Sequence, residues 1–491
     1  MRIARRPLTA SVAVAVSLLA LLAGCGTRAS DAEVRAGAQP GGSVTLDQAS
    51  VDALAAAATQ GGVPADAAGP ASLPGITTTG TTGTPGTVAT GSGGSKGAAT
   101  ATPQASSAPT AGGKCTAAGA PVTLGQVGTF SGLAGPIAGD GLLAVAAWVK
   151  DINARGGLAC HPVTLYVRDD GGDPARASAA VRSLVDQRKV AALVANLTAL
   201  SESGFLPEVK KTCVPAVGLD FGPNWSREPC LFPQGGGWFE SISALVKQAV
   251  DNGHLKLGLL YCVEIGQCGS AGKLVEEAAE RYGAKLVYQS AVSLTQTDFT
   301  AQCQNAKNAG VEELAVALEG SAMARLARSC LALNYRPILV GAGLAVSVAQ
   351  AEDPKLRELT VVAMAPNAPW FLTDQPGQKE YAAAMARYAP QATASGATIQ
   401  MWAAAKLLEA GVARLGDSAR TAPLTPELIL KGMNLIRGET LGGLTAPLDF
   451  TPANQGLRSS GCVYVALLTA QGWTAPMGSK PLCNLLPKGA S

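Results

Sequence analysis

The hydrophobic pattern changes at residue 115, beyond which short apolar runs alternate with longer segments of helical periodicity. The apolar runs predict β-strands at 122–127, 163–167, 190–195, 214–219, 255–261, 285–290, 313–318, 338–340, 360–363 and 463–468. The segments between them predict α-helices at 142–152, 174–187, 237–251, 271–282, 299–308, 322–333, 378–388 and 399–415. This alternation predicts an α/β fold with parallel sheets. Because the stretch is too long for a single hydrophobic core, we expect two lobes.

The first 25 residues are typical of an export signal. Arg2, Arg5 and Arg6 precede an apolar run at 8–23, which is too short to span a membrane. The run ends in the sequence Leu-Ala-Gly-Cys, which resembles the bacterial lipobox whose cysteine is acylated. We therefore expect Cys25 to carry a lipid anchor, with the rest of the chain outside the cytoplasm.

Residues 26–114 have the composition of a disordered tether. From residue 60 to residue 113 the charged side chains are Asp66 and Lys96, and most other positions are Gly, Ala, Ser, Thr or Pro. Such a segment cannot bury enough apolar area to offset the entropy lost on ordering. We expect it to hold the folded part away from the membrane.

The cysteines indicate disulfide bonds. The chain has 11, and ten remain when Cys25 is set aside. An even number in an exported protein favours disulfides, whereas a zinc site would need closely spaced ligand pairs that the sequence lacks. Sequence alone leaves the connectivity open. The most compact hypothesis joins neighbours in the chain: Cys115–Cys160, Cys213–Cys230, Cys262–Cys268, Cys303–Cys330 and Cys462–Cys483.

Composition argues against several kinds of function. The chain has 38 Lys and Arg residues and 35 Asp and Glu residues, which gives a net charge of +3. Because basic and acidic residues are interspersed, we expect no nucleic-acid-binding face. The chain has two histidines and no G-x-S-x-G nucleophile elbow between a predicted strand and helix, so we predict no metal, cofactor or catalytic residue. A glycine-rich segment departs from the phosphate-loop pattern at Gln267 and Leu274. ATP hydrolysis would therefore need another chain.

Several motifs between residues 122 and 219 together resemble a known family. They are Val-Thr-Leu-Gly from Val122, Thr-Phe-Ser-Gly from Thr129, Asp-Ile-Asn-Ala-Arg-Gly-Gly-Leu from Asp151, Asp169-Asp170 and Asp173-Pro174. The segment resembles the substrate-binding proteins of branched-chain amino acid ABC transporters, which have the type I periplasmic-binding fold. The resemblance extends over roughly residues 115–485.

This resemblance implies two Rossmann-like lobes with parallel sheets, joined by a three-segment hinge. Lobe 1 would comprise 115–233 and 367–440, and lobe 2 would comprise 234–366 and 441–485, with crossings near Pro233, Pro366 and Leu441. The implied function is capture of a small amino-acid-like or amphipathic solute by hinge closure. A monomer would deliver the solute to an ABC permease served by separate ATPase subunits. An alternative is a receptor domain that senses its ligand by the same closure and signals through a partner.

The resemblance also implies where a ligand binds. Such proteins hold an amino acid with hydroxyl and amide groups of lobe 1 and an acidic group for the ammonium. The positions carried over are Ser131, Ile137, Thr198, Ala199, Ser201, Asp220 and Phe221 in lobe 1 and Glu264, Cys268 and Glu319 in lobe 2. Thr198 and Ser201 have helix capping as an alternative role. The segment 341–344 has no acid where leucine-binding relatives have one, which argues against a plain α-amino acid.

Overall fold

The computed structural model describes residues 44–45, 115, 118–219, 222–450 and 458–485. The predicted export signal with Cys25, and all of the predicted tether except Val44–Thr45, lie outside these residues. Two separate sheets contain all the strands that are described. Within the same residues, no helix is long and apolar enough to cross a membrane.

The first sheet forms lobe 1 and has the strand order β1-β3-β2-β4-β5-β6. Its strands are β1 Val44–Thr45, β2 Val122–Gly128, β3 Val163–Asp169, β4 Ala192–Asn196, β5 Ala216–Leu219 and β6 Leu231–Phe232. All pairs are parallel except that of the two-residue β1 with β3. The early helices are α1 Gly135–Ala154, α2 Pro174–Arg182 and α3 Glu202–Thr212. A short π-helical segment, Ser183–Gln187, follows α2.

The second sheet forms lobe 2 and has the order β13-β12-β11-β10-β9-β7-β8. Its strands are β7 Lys256–Cys262, β8 Lys285–Val292, β9 Glu313–Val316, β10 Ile338–Ala342, β11 Val361–Ala365, β12 Tyr464–Thr469 and β13 Gly472–Thr474. Its helices are α4 Trp238–Asp251, α5 Ala271–Tyr282, α6 Thr300–Asn308 and α7 Gly320–Ala332. Strands β7 to β11 are parallel, and β12 and β13 add an antiparallel edge.

Four later helices follow β11: α8 Pro376–Tyr388, α9 Gly396–Ala413, α10 Ser418–Thr421 and α11 Pro426–Met433. Helix α9 lies at the centre of the lobe 1 core, where it packs on α1, β4 and β5. A side chain at Gly141 of α1 would overlap Met401 of α9, so the glycine permits close packing of the two helices.

The chain passes between the lobes three times: after β6, after β11 and before β12. Asn367 joins these crossings, because its side-chain Nδ2 donates to the carbonyl oxygens of Gln234 (3.0 Å) and Leu444 (3.3 Å). Gly235 brings the first crossing against the second, since a Cβ at this position would overlap the carbonyl oxygen of Pro366. The hinge is therefore a bundle of three backbone segments, joined by the buried Asn367 amide and by backbone bonds such as that from Ala368 N–H to the Leu444 carbonyl (2.9 Å).

All five predicted disulfide pairings are confirmed, and the 4.2–5.6 Å between their Cα atoms fits a bridge. Two of the disulfides lie in lobe 1, Cys115–Cys160 and Cys213–Cys230. Cys262–Cys268 and Cys303–Cys330 lie in lobe 2. Cys462–Cys483 joins the segment before β12 to the C-terminal segment, beside the bridge between Val463 and Leu482. None of these five bonds joins one lobe to the other.

The predicted α/β fold with parallel sheets is confirmed. Each of the ten predicted strands is present, with ends shifted by one or two residues. Helix α1 begins at Gly135, before the predicted start at residue 142, because its glycine-rich first turns pack against α9. The predicted helical ranges do not include α3, α10 or α11. For α11, Thr425 and Pro426 form an N-terminal capping signal in which Thr425 accepts from the amide of Leu428 at 3.3 Å.

Candidate functional site

A cavity of about 220 Å³ lies between the two sheets, at the carboxyl ends of their strands. Lobe 1 contributes Thr129, which follows β2, and Ala199, which follows β4. Lobe 2 contributes Cys262 at the end of β7 and Leu318 after β9. In each sheet the strand order reverses between these two strands. Ligands of open α/β sheets bind at such switch points, so the fold itself places a binding site here.

A buried carboxylate fixes the lobe 1 wall. The side chain of Asp170 accepts hydrogen bonds from the Thr129 hydroxyl (2.8 Å), the Ser201 hydroxyl (2.7 Å) and the amide of Gly172 (2.8 Å). Burial raises the pKa of Asp170, although the same hydrogen bonds oppose this effect. Gly172 has a φ of +80°, which favours glycine in this tight turn. Asp170 thus holds the loops that follow β2 and β4 in position.

The lobe 2 wall is largely aliphatic. Leu259, Val275, Ala315, Val340 and Met364 are all buried and line the cavity. They come from four strands and from α5, and the disulfide Cys262–Cys268 lies in the same wall. A ligand with apolar surface would bind more favourably because it displaces water from this wall.

Glu319 is the single ionisable side chain among the described residues that line the cavity. Its carboxylate caps α7 by accepting from the amides of Ser321 and Ala322, each at 2.6 Å, and from the Ser321 hydroxyl. Arg325 lies 3.6 Å from the same carboxylate. Since these groups already satisfy the charge, Glu319 is poorly placed to hold a ligand ammonium.

Gln400, on α9, is a polar residue of the cavity wall with unused hydrogen-bonding capacity. Its side chain lines the cavity and is 2% exposed, and its Nε2 has no partner among the described residues. Thr129 and Ser241, which also line the cavity, donate their hydroxyls to Asp170 and to the carbonyl of Gly237. A buried donor without a partner is costly. An acceptor atom on a ligand would satisfy it.

The structure brings four of the ten predicted ligand-binding residues into the cavity wall: Ile137, Ala199, Cys268 and Glu319. Ser131 is exposed, and Thr198 and Ser201 are fully buried; none of the three lines the cavity. Asp220 and Phe221 lie outside the described residues.

Two of the predicted contacts need correction. The Ser201 hydroxyl is used by Asp170 and neither caps α3 nor reaches the cavity. Glu264 does not line the cavity, and its Oε1 accepts from the Ser293 hydroxyl (2.6 Å) and the amide of Leu294 (3.0 Å).

Sequence reasoning missed Gln400 and the contribution of α4 to the wall. Gln400 lies in an otherwise apolar stretch of α9, and a lone amide in a buried helix was the available signal. In α4 the lining residues include Trp238, Ile242 and Leu245. These residues follow an ordinary amphipathic pattern, which does not distinguish a cavity wall from a packed core.

The described residues contain no group of three His, Cys, Asp or Glu side chains arranged to hold a metal ion. Two facing α/β lobes, a three-segment hinge and an interlobe cavity at the strand ends define the class of bilobed solute-binding proteins.

The sequence profile of the periplasmic binding protein family matches residues 121–472, so the chain belongs to that family. No curated protein sequence matches the chain. The family and its structural neighbours are solute-binding proteins and not enzymes. Membership implies an extracytoplasmic location.

Solved structures share the fold at low sequence identity. A branched-chain amino acid ABC transporter protein from Thermus thermophilus with bound valine has a TM-score of 0.67 and 16% identity, over 75% of this chain and 98% of its own. A fatty acid ABC transporter substrate-binding protein from Thermomonospora curvata has a TM-score of 0.64 and 18% identity, over 74% and 93%. An R. palustris solute-binding protein in complex with benzoate has a TM-score of 0.60 and 13% identity, over 74% and 98%. The predicted resemblance is therefore confirmed.

Proposed function

We propose that this protein is the extracytoplasmic solute-binding component of an ABC importer and that its ligand is a small amphipathic molecule. The observation that carries the proposal is an aliphatic interlobe cavity in which the buried Nε2 of Gln400 has no partner. Ligand bound to both walls would stabilise the closed hinge through its greater affinity for that state. The closed protein would then deliver the ligand to a permease whose ATPase is a separate subunit.

The chemistry of the cavity favours an apolar or amphipathic ligand over an α-amino acid. An amino acid brings an ammonium group, and the carboxylate of Glu319 is already occupied by α7 and Arg325. Solved structures of this fold hold valine or benzoate, and another belongs to a fatty acid transporter, so the fold serves ligands of different chemistry. The aliphatic wall of this chain favours a ligand that resembles benzoate or a fatty acid.

Gln400→Leu tests the proposal by calorimetry with valine, benzoate and octanoate. We expect the wild-type protein to bind a compound with an apolar part and an oxygen acceptor. The variant should bind it about tenfold more weakly, because one hydrogen bond to a buried partner is lost. Its melting temperature without ligand should be equal or higher, since an unsatisfied buried group has been removed.

Gln304→Leu provides the control, because Gln304 lies on α6 and does not line the cavity. Its ligand affinity should equal that of the wild type. Failure of all three ligands to bind, or tight binding of valine alone, would contradict the proposal.

A further inference from the structure

The cavity lining includes side chains from the interior of lobe 2. Leu259, Ala315 and Val340 pair directly with one another across β7, β9 and β10, and all three line the cavity. They share the sheet face that packs against α4 and α5, as their hydrophobic neighbours show. The lining therefore continues between the sheet and these two helices.

Ala315 has the smallest side chain on this part of the sheet face and leaves a depression there. It stands between two larger side chains, Leu259 and Val340, so the sheet face has a trough along β9. Ile242 and Leu245 of α4 and Val275 of α5 cover the trough, and each lines the cavity. From Leu318 at the interlobe end to Ala315, the trough runs for roughly 10 Å at about 3.3 Å per residue.

The two ends of the cavity differ in chemistry. The trough is lined by aliphatic side chains, whereas the interlobe end has the Gln400 amide on the lobe 1 side. A compact solute would leave the trough empty. A linear chain with a polar end would fill the trough and reach the amide.

We propose that the trough along β9, covered by α4 and α5, is a subsite for a linear aliphatic chain whose oxygen-bearing head group accepts from Gln400. This inference rests on the proposed function and adds the ligand class and its orientation. The chain enters lobe 2 and the head remains at lobe 1. Each methylene group placed in the trough should raise affinity about three- to fourfold.

Calorimetry on the purified full-length protein tests the subsite with butanoate, octanoate and dodecanoate. Octanamide and octan-1-ol distinguish a charged head from a neutral one with the same chain. We expect octanoate or its neutral counterparts to bind at least tenfold more tightly than butanoate. Equal affinity for butanoate and octanoate would overturn the subsite.

Two variants change the trough in opposite directions. Ala315→Leu fills it, so octanoate binding should fall at least tenfold while butanoate binding is retained. Val275→Ala enlarges it, so dodecanoate should gain at least threefold relative to octanoate. Val246→Ala is the matched control, because Val246 is fully buried in the same core and does not line the cavity. An unchanged dodecanoate-to-octanoate ratio in Val275→Ala would contradict the subsite even if Ala315→Leu failed to fold.

Failure of the subsite and failure of the proposed function give different results. Binding of valine or benzoate without binding of any straight-chain compound would overturn the subsite and leave solute binding intact. Absence of binding by every compound in both panels would overturn both.

Discussion

Individual residues set the ends of helices, and many of these roles follow from sequence. Asp173 precedes Pro174 and caps α2 by accepting from the amides of Ala175 (2.7 Å) and Arg176 (3.1 Å). Gly156 and Gly157 follow α1 with φ values of +101° and +92°, which glycine adopts readily at the end of a helix. Such roles are predictable because they depend on nearby backbone atoms.

The role of Gln400 was not predictable in the same way. Whether Gln400 has a partner depends on how α9, which packs in the lobe 1 core, reaches the cavity. The same holds for Ser201, whose hydroxyl is taken by Asp170, 31 residues earlier in the chain. Sequence indicates where polar groups occur, but long-range packing decides which of them face a ligand.

Arg458 is a buried cation without an acidic partner among the described residues. Its guanidinium donates to the carbonyl oxygens of Pro229 (2.7 Å) and Leu231 (3.2 Å) and lies 4.2 Å from the ring centre of Phe232. Burial lowers the pKa of Arg458 to about 10. The side chain therefore fastens the last crossing to the edge of lobe 1.

We predict that Arg458→Met destabilises the protein by about 3 kcal/mol, because several buried carbonyl oxygens lose their donor. The midpoint of urea unfolding measures this loss. Arg437→Met is the matched control, since Arg437 also donates to carbonyl oxygens but is exposed. The free energy of unfolding of Arg437→Met should fall by less than about 1 kcal/mol. Equal losses in the two variants would show that burial of Arg458 is unimportant.

At the scale of elements, strands were predicted more accurately than helices. Runs such as 122–127 and 463–468 are rich in apolar residues and are bounded by polar or turn residues. The start of α1 was harder to predict because its first turns contain several glycines, which are poor helix formers. Packing of Gly141 on Met401 favours the helix in spite of this low propensity.

An ion-pair network joins α1 to α8 and α9. Arg155 contacts Glu409 through two nitrogens, at 2.9 and 3.2 Å, and Lys406 contacts Glu409 at 2.8 Å and Glu380 at 2.9 Å. Burial alone would raise the pKa of Glu409, but Lys406 and Arg155 outweigh it and lower that pKa to about 2. Glu409 thus remains charged at the helix interface.

We predict that this network makes the protein sensitive to acid. Because the folded-state pKa of Glu409 lies below its usual value, the stabilisation is complete above about pH 4.5 and is lost as the pH falls toward 2. Glu409→Gln should lower the free energy of unfolding by about 2 kcal/mol at pH 7. The free energy of unfolding of this variant should also fall less on acidification than that of the wild type. Chemical unfolding at pH 7, 5 and 3 measures both effects.

Glu380→Gln is the control within the same network. Glu380 is more exposed than Glu409, so its removal should have a smaller effect at every pH. An unchanged pH profile in Glu409→Gln would contradict the assignment.

At the scale of the whole molecule, the two-lobed α/β fold was predicted, whereas the contacts within the hinge were not. Asn367, Gln234 and Leu444 are far apart in sequence, and no local pattern marks them as neighbours. Gly235 and Gly236 are a weak sequence signal of close contact between backbone segments, because such contact favours glycine. The structure shows that Gly235 approaches Pro366 and that Gly236 approaches Cys462.

We predict that Asn367→Leu loosens the hinge. The variant cannot donate to the carbonyl oxygens of Gln234 and Leu444, so the three crossings should separate more easily. Small-angle scattering should show a larger radius of gyration without ligand and the wild-type value with ligand. Asn252→Leu is the control, because Asn252 bonds at the end of α4, outside the crossings. Identical scattering of Asn367→Leu and wild type without ligand would contradict the role of Asn367.

The disulfides follow the order of the chain, since each described cysteine is joined to the next one along the sequence. A polypeptide that leaves the cell interior from its N-terminus would therefore expose both partners of one bond before either partner of the next. Oxidation can then proceed pair by pair during secretion, and the correct set forms without exchange between mismatched thiols.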